Sequence, residues 1–213
     1  MQDFILFGMQ GSGKGTQGQI LAAKLNLQVF ETGGQLRKLA AEDSDLGKKV
    51  KGIIESGNLV SDEVVMEIVE NFLKKTPATE GVIFDGIPRS ESQYLMLEGE
   101  FEKFNRKPTA LYIKLTEEEA LKRLLGRKTC SKCGKIFGSK DNIAAATSCP
   151  VCGGELKIRA DDTEEAIRTR LDVYAAQTLP VIEKYRAAGR LIEVDGSQPV
   201  EDVTTEILSQ VEA

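Results

Sequence analysis

A run of four apolar side chains, Phe4–Phe7, stops at Gly8, and Gly11, Gly13, Lys14, Gly15 and Thr16 follow before an amphipathic stretch sets in. A short, continuously apolar run is what a strand covered on both faces requires, and residues 14 to 25 read as a helix. Strand, glycine-rich turn and helix in direct succession point to a parallel sheet, because a crossover must carry the chain back before the next parallel strand can pair. Similar apolar runs recur at 27–30, 82–84, 110–115 and 191–194, with helical pattern between them. Five strands alternating with helices predict an α/β fold of three layers around a central five-stranded parallel sheet.

The helices carry their own signals. Val64, Val65, Ile68, Val69, Phe72 and Leu73 form a stripe of period 3.6 after Ser61 and Asp62, and Val203, Ile207, Leu208 and Val211 form another near the C-terminus. Thr116 with Glu119 predicts a capping box for a helix ending near Arg127, and Thr163 opens a longer helix that Pro180 should kink or divide. Two segments leave this alternation. Three helical patterns lie between the second strand and Val82, and between Arg127 and Arg159 the pattern dissolves into Gly, Ser, Cys and Asn. Both are expected as insertions at the sheet edge, where covers over bound ligands are found.

Composition narrows the chemistry. Hydrophobic residues at 41% and charged residues at 29% describe a globular chain, and the absence of histidine removes imidazole from catalysis and from metal binding. The net charge of −5 argues against whole-surface attraction to nucleic acid while leaving a local basic pocket open, no nucleic-acid partner is expected, and residues 1 to 7 are too short for a signal sequence or a membrane span. A cytoplasmic chain, monomeric by default and apart from membranes, is expected.

Glycines at the start of a helix let backbone N–H groups curl around an anion. The four-residue spacer between Gly8 and Gly13, followed by Lys14, is the P-loop pattern, with Gly15 standing before the hydroxyl of Thr16. Lys14 is expected to neutralise a transferring phosphate, and Thr16 to lie near Mg2+. Asp85 ends the apolar run at 82–84 and is placed to hold the same ion or its water shell, with Arg89 within reach of phosphate. Arg37, Arg123, Arg127, Arg159, Arg168 and Arg170 also stand at motif edges or flank the irregular segment. Guanidinium forks converging on one site would stabilise charge on a phosphoryl group in flight, and closing the 127–160 segment would bring Arg123, Arg127, Arg159 and Arg170 inward. Cys130, Cys133, Cys149 and Cys152 form two CxxC pairs with Gly134 and Gly153 trailing, the spacing of a closed tetrathiolate zinc site of structural role, with two disulfides as the alternative.

Taken together, the run GMQGSGKGTQ, the segments TGGQLR, GNLVSDE and DGIPRSESQ, the GRK-Cys knuckle and RADDTEEAIRTR resemble adenylate kinase in its long form with a zinc-bearing lid, over nearly the whole chain. The resemblance implies a core of residues 1–30, 61–126 and 161–213, a helical NMP-binding insertion at 31–60 and a zinc-binding lid at 127–160. It implies Mg2+-dependent transfer from ATP to AMP giving two ADP, with Lys14, Arg89, Arg127, Arg159 and Arg170 catalytic. ATP would be held by Gly11, Ser12, Gly13, Lys14, Gly15, Thr16, Arg123, Arg127, Ile136, Phe137 and Gln198. AMP would be held by Thr32, Arg37, Asn58, Leu59, Val60, Gly86, Ile87, Pro88, Arg89, Gln93, Arg159 and Arg170, with Gln93 offering a paired donor and acceptor to an adenine edge. Three positions depart from the family's habit: Gly34 replaces an acidic residue, which bears on the Mg2+ and water network, Gln10 replaces proline and Ile87 an aromatic. A pyrimidine or guanine nucleotide as acceptor is the nearest rival reading, and a P-loop module binding nucleic acid through its ribbon is the rival of another class.

Overall fold

The computed structural model describes residues 2–55, 60–138, 146–158 and 163–211. Five parallel strands form the central sheet: β1 (Phe4–Phe7), β2 (Gln28–Glu31), β3 (Val82–Asp85), β4 (Thr109–Lys114) and, last in the chain, β8 (Leu191–Asp195). Their order is β2-β3-β1-β4-β8, so β1 and its glycine-rich turn lie at the centre. This is the sheet that the spacing of apolar runs predicts.

Alternation along each strand creates the three layers. Phe4 and Leu6 of β1, Ile83 of β3 and Leu111 and Ile113 of β4 face α1 (Lys14–Leu25) and α9 (Val200–Val211), against Leu21, Val203, Ile207 and Val211. Ile5 and Phe7, Val82 and Phe84, and Ala110 and Tyr112 face the other way. They pack in one cluster with α4 (Asp62–Lys75), α5 (Glu91–Lys103), the helix α8 (Leu179–Ala187), and parts of α6 (Glu117–Leu125) and α7 (Glu164–Val173). α1 lies close on the sheet because Gly18 has no Cβ; one built there would stand 2.8 Å from Leu6 Cδ1.

Between β2 and β3 come three helices, α2 (Thr32–Ala40), α3 (Asp45–Glu55) and α4, as the sequence pattern predicts. Val50, Leu36, Leu39 and Leu46 join the same cluster as the sheet. Between α6 and α7 lies a separate three-stranded antiparallel ribbon of β5 (Lys128–Cys130), β6 (Ile136–Phe137) and β7 (Leu156–Lys157), in the order β6-β5-β7.

Three local outcomes refine the sequence reading. β2 starts at Gln28 rather than Leu27, because Asn26 turns left-handed (φ 53°) and Leu27 N–H donates to Ala22 O, closing α1. Thr116 accepts from Glu119 N–H at 3.3 Å, but the Glu119 carboxylate turns to Arg123 instead of completing the box. Pro180 lies in the first turn of α8, directly after a π-helical turn at Tyr174–Thr178, so the long helix is divided. A proline ring removes one N–H donor and crowds the carbonyl a turn earlier, and the wider π turn absorbs that mismatch.

Candidate active site

The carboxyl ends of β1, β2 and β3 meet the N-terminus of α1. At Gly8 a Cβ would stand 2.9 Å from Ile113 O, and Gly13 caps α1 in the left-handed region (φ 96°), so neither position accepts a side chain without strain. Backbone N–H groups of the first turn of α1 have no helical acceptor, and this makes the turn a seat for anions.

Lys14 opens that helix, partly buried. Desolvation pulls its pKa below the usual lysine value, Asp85 pulls it back, Arg89 and Arg127 push it down again, and Glu31 raises it. Fields of this kind reach over several ångströms, so two arginines and two carboxylates lie within electrostatic range of one ammonium. Asp85 answers in mirror image: burial raises its pKa, Lys14 lowers it, Glu31 raises it and Arg89 lowers it. Its Oδ2 stands 3.8 Å from where a Gly15 Cβ would be, which places the carboxylate beside the first turn of α1. Thr16 is exposed on the same turn. Hydroxyl and carboxylate oxygens are hard donors suited to Mg2+, so this pair fits that ion.

Arg89 Nε donates to Gly86 O at 2.9 Å, and Thr178 Oγ1 donates to Arg89 O, so its backbone is pinned while the guanidinium is exposed. Thr32 is buried and donates to Asp85 O at 3.2 Å; Arg37 is exposed and pairs with Glu31 at 3.3 Å. Gln93 spends both ends of its amide inside the protein, accepting from Arg89 N–H and donating to Asp62 Oδ1, each at 2.8 Å. An adenine edge would have to displace those partners. Ile87, Pro88 and Val60 are buried, the first and last in the main core cluster. Asn58, Leu59 and Arg159 lie outside the described residues.

On the far side of the glycine turn, Arg123 donates to Gly196 O at 2.9 Å and Gly11 O at 3.4 Å while Glu119 holds it at 2.7 Å. This clamps the turn to the loop after β8. Arg123, Ser12, Gly13, Thr16, Gly196 and Gln198 line a cleft of about 50 Å³, with Gln198 Nε2 donating to Glu206. That is a crease, well short of the roughly 300 Å³ of a formed small-molecule pocket. Arg170 donates from Nε to Ala166 O on α7, and Arg168 turns outward to Glu164. Phe137 is buried in the ribbon's own small core with Cys130, Cys149 and Leu156, whereas the neighbouring Ile136 is exposed.

All four cysteines are free thiols, and their Sγ atoms lie within 4.8 Å of one another. The pairs Cys130–Cys152 at 3.4 Å and Cys133–Cys149 at 3.8 Å lie just under and at the S···S separation of about 3.8 Å that a tetrahedron with 2.3 Å zinc–sulfur bonds demands. The two knuckles repeat each other: Gly134 N–H donates to Cys130 O, and Gly153 N–H to Cys149 O. N–H groups of Cys133 and Lys132 point at Cys130 Sγ and bring its pKa down to about 6, which favours the thiolate a metal needs. The donor set fits zinc.

Sequence reasoning missed Glu31. Its signal was an acidic residue at the carboxyl end of an apolar run, the same signal that marked Asp85, but it stands one position before the TGGQLR segment and so outside the motif.

Against known proteins, a family model described as Adenylate kinase matches residues 6–190. The chain is 41% identical over 207 residues to an adenylate kinase of Syntrophotalea carbinolica, with 96% of each chain covered. It is 38% identical over 211 residues to one of Caldicellulosiruptor bescii, again 96% of each, and 38% identical over 212 residues to one of Archaeoglobus fulgidus, 96% of this chain and 95% of the relative.

Proposed function

The chain belongs to the adenylate kinase family, and from that premise we propose which side chains carry its reaction, the reversible transfer of a phosphoryl group from ATP to AMP giving two ADP. The observation that carries the proposal is the seat of Lys14 at the head of α1, after the left-handed Gly13 and beside Asp85, with Arg89, Arg127 and Glu31 within electrostatic range.

The acceptor needs no base. A phosphate monoester has its second pKa near about 6, so at neutral pH the AMP phosphate is already an anionic nucleophile, and a chain without histidine loses nothing. What the protein supplies is position and positive charge. N–H groups from Gly11 to Thr16 hold the ATP phosphates, and Lys14 follows the phosphoryl group as a mobile point charge. Its ammonium, disfavoured by burial, is restored by the anionic phosphates it meets. Arg89 and Arg127 meet the same charge from either side, and Arg170 and Arg159 join them. The family brings Mg2+ with ATP; Thr16 and Asp85 would hold it, and it supplies charge neutralisation across the phosphate oxygens.

Arg123, Ile136, Phe137 and Gln198 border the ATP nucleoside, the buried Phe137 acting through its neighbour. Thr32, Arg37, Asn58, Leu59, Val60, Gly86, Ile87, Pro88 and Gln93 border AMP. Segments 31–60 and 127–160 close over the two nucleotides and keep water from the phosphoryl group. The four thiolates hold one structural zinc. The enzyme is read as a monomer working in the cytoplasm without nucleic acid; among the described residues no helix is long and apolar enough to cross a membrane. A coupled assay of AMP-dependent ADP formation tests the reading. AMP is expected to be the best acceptor, and faster turnover with UMP, CMP or GMP would remove that assignment.

A further inference from the structure

Glu31 stands next to Asp85 in the sheet: the two are partners in the parallel register of β2 and β3. Their side chains leave the same face. Phe30 and Phe84 point into the main cluster, while Ile83 points to the α1 side, so by alternation Glu31 and Asp85 share the side on which α1 begins. The carboxylate of Glu31 then folds over the first turn of α2, where two consecutive glycines leave room for it. A Cβ at Gly34 would stand 2.5 Å from Glu31 Oε2, and one at Gly33 would stand 2.9 Å from Oε1. The volume that a side chain at position 34 would fill is occupied by a carboxylate reaching forward from position 31.

We propose that Glu31 is a positioning residue for the divalent cation, the second carboxylate of a pair with Asp85 that orders the water shell of Mg2+ beside the ATP and AMP phosphates. Its charge is felt at Lys14 and at Asp85, which places it in the same electrostatic site. One partner competes with this role: Arg37 pairs with Glu31 across an exposed bridge, with side-chain exposures of 64% and 49%. A pair so open to water is weak, and the phosphate of AMP would draw the guanidinium away and free the carboxylate. The inference rests on the phosphoryl-transfer reading above.

The test holds the complex without turnover. Mn2+ replaces Mg2+, AMP and β,γ-imido ATP fill the two nucleotide sites, and bound Mn2+ is read from the loss of the free-ion EPR signal. Glu31 is half-exposed, so neither variant below removes a core contact. Glu31→Gln is expected to weaken Mn2+ binding about tenfold, as loss of a partner to a metal's ligands does. In a Glu31→Ala background, which empties that volume, adding Gly34→Asp is expected to recover most of the loss, because its carboxylate would start from the place that Glu31 reaches. Unchanged Mn2+ affinity in Glu31→Gln, with weaker AMP binding, would reduce Glu31 to an anchor for Arg37 and overturn the proposal; so would a loss that Gly34→Asp does not recover. Failure of wild-type ADP formation would instead strike the phosphoryl-transfer reading, and the two failures are read in separate assays.

Discussion

On the function proposed above, Lys14 is prepared for phosphate by being made uncomfortable. Burial lowers its pKa, so the unfolded chain holds the proton more tightly than the folded one. Such a group weakens folding at pH values below its depressed pKa, and the penalty fades as pH climbs toward the unfolded value of 10.5. Lys14→Met is therefore expected to cut kcat about a thousandfold, on the scale of losing a preorganised charge at the transition state. It is also expected to raise Tm at pH 7, with the gain shrinking toward pH 10.5 in thermal melts. A lower Tm at pH 7 would mean that the ammonium is a structural tie rather than a charge held ready for phosphate. Lys14, Thr16 and Asp85 were legible in the sequence because each sits at a fixed offset from a strand end or a glycine. Gln93 was legible as a residue but not in its bonding, since Asp62 lies on a different helix and only packing brings them together.

Elements differ in how much of their stability they own. The ribbon of β5, β6 and β7 has strands of two or three residues and a core of Cys130, Phe137, Cys149 and Leu156, too little to stand without a cross-link. One zinc per chain is expected by metal analysis. A chelator should lower Tm and strip amide protection from the ribbon in hydrogen exchange while leaving the central sheet protected. Loss of protection throughout the sheet, or a protein that holds no zinc, would refute this. The CxxC spacing announced the element plainly. The π-helical turn before α8 was only half legible: Pro180 predicted an interruption, but the form it took depends on how α7 and α8 pack, with Tyr174 and Thr178 buried.

The whole molecule is tied at its base by a pair that no motif announced. Asp3 accepts from Arg106 at 2.7 Å and from Val82 N–H at 2.8 Å, and Arg106 also donates to Thr76 O, Pro77 O and Glu80 O. These bonds join the start of β1, the start of β3, the end of α4 and the segment after α5, with both side chains nearly closed to water (4% and 6% exposed). Asp3→Ala is expected to cost about 3–5 kcal/mol in denaturant unfolding, because it leaves a buried guanidinium without its counter-charge. Arg168→Ala, which breaks an exposed pair with Glu164, should cost under about 1 kcal/mol; equal effects would show that burial does not set the scale. By itself the sequence determined the strand and helix alternation, the glycine turn that opens α1 and the thiol site, because periodicity, caps and ligand spacing act over a few neighbouring residues. Tertiary structure alone decided that Glu31 stands in register with Asp85, that Arg123 clamps Gly11 to Gly196, and that Asp3 meets Arg106. Register and long-range pairing are set by how layers pack, and no local pattern carries that information.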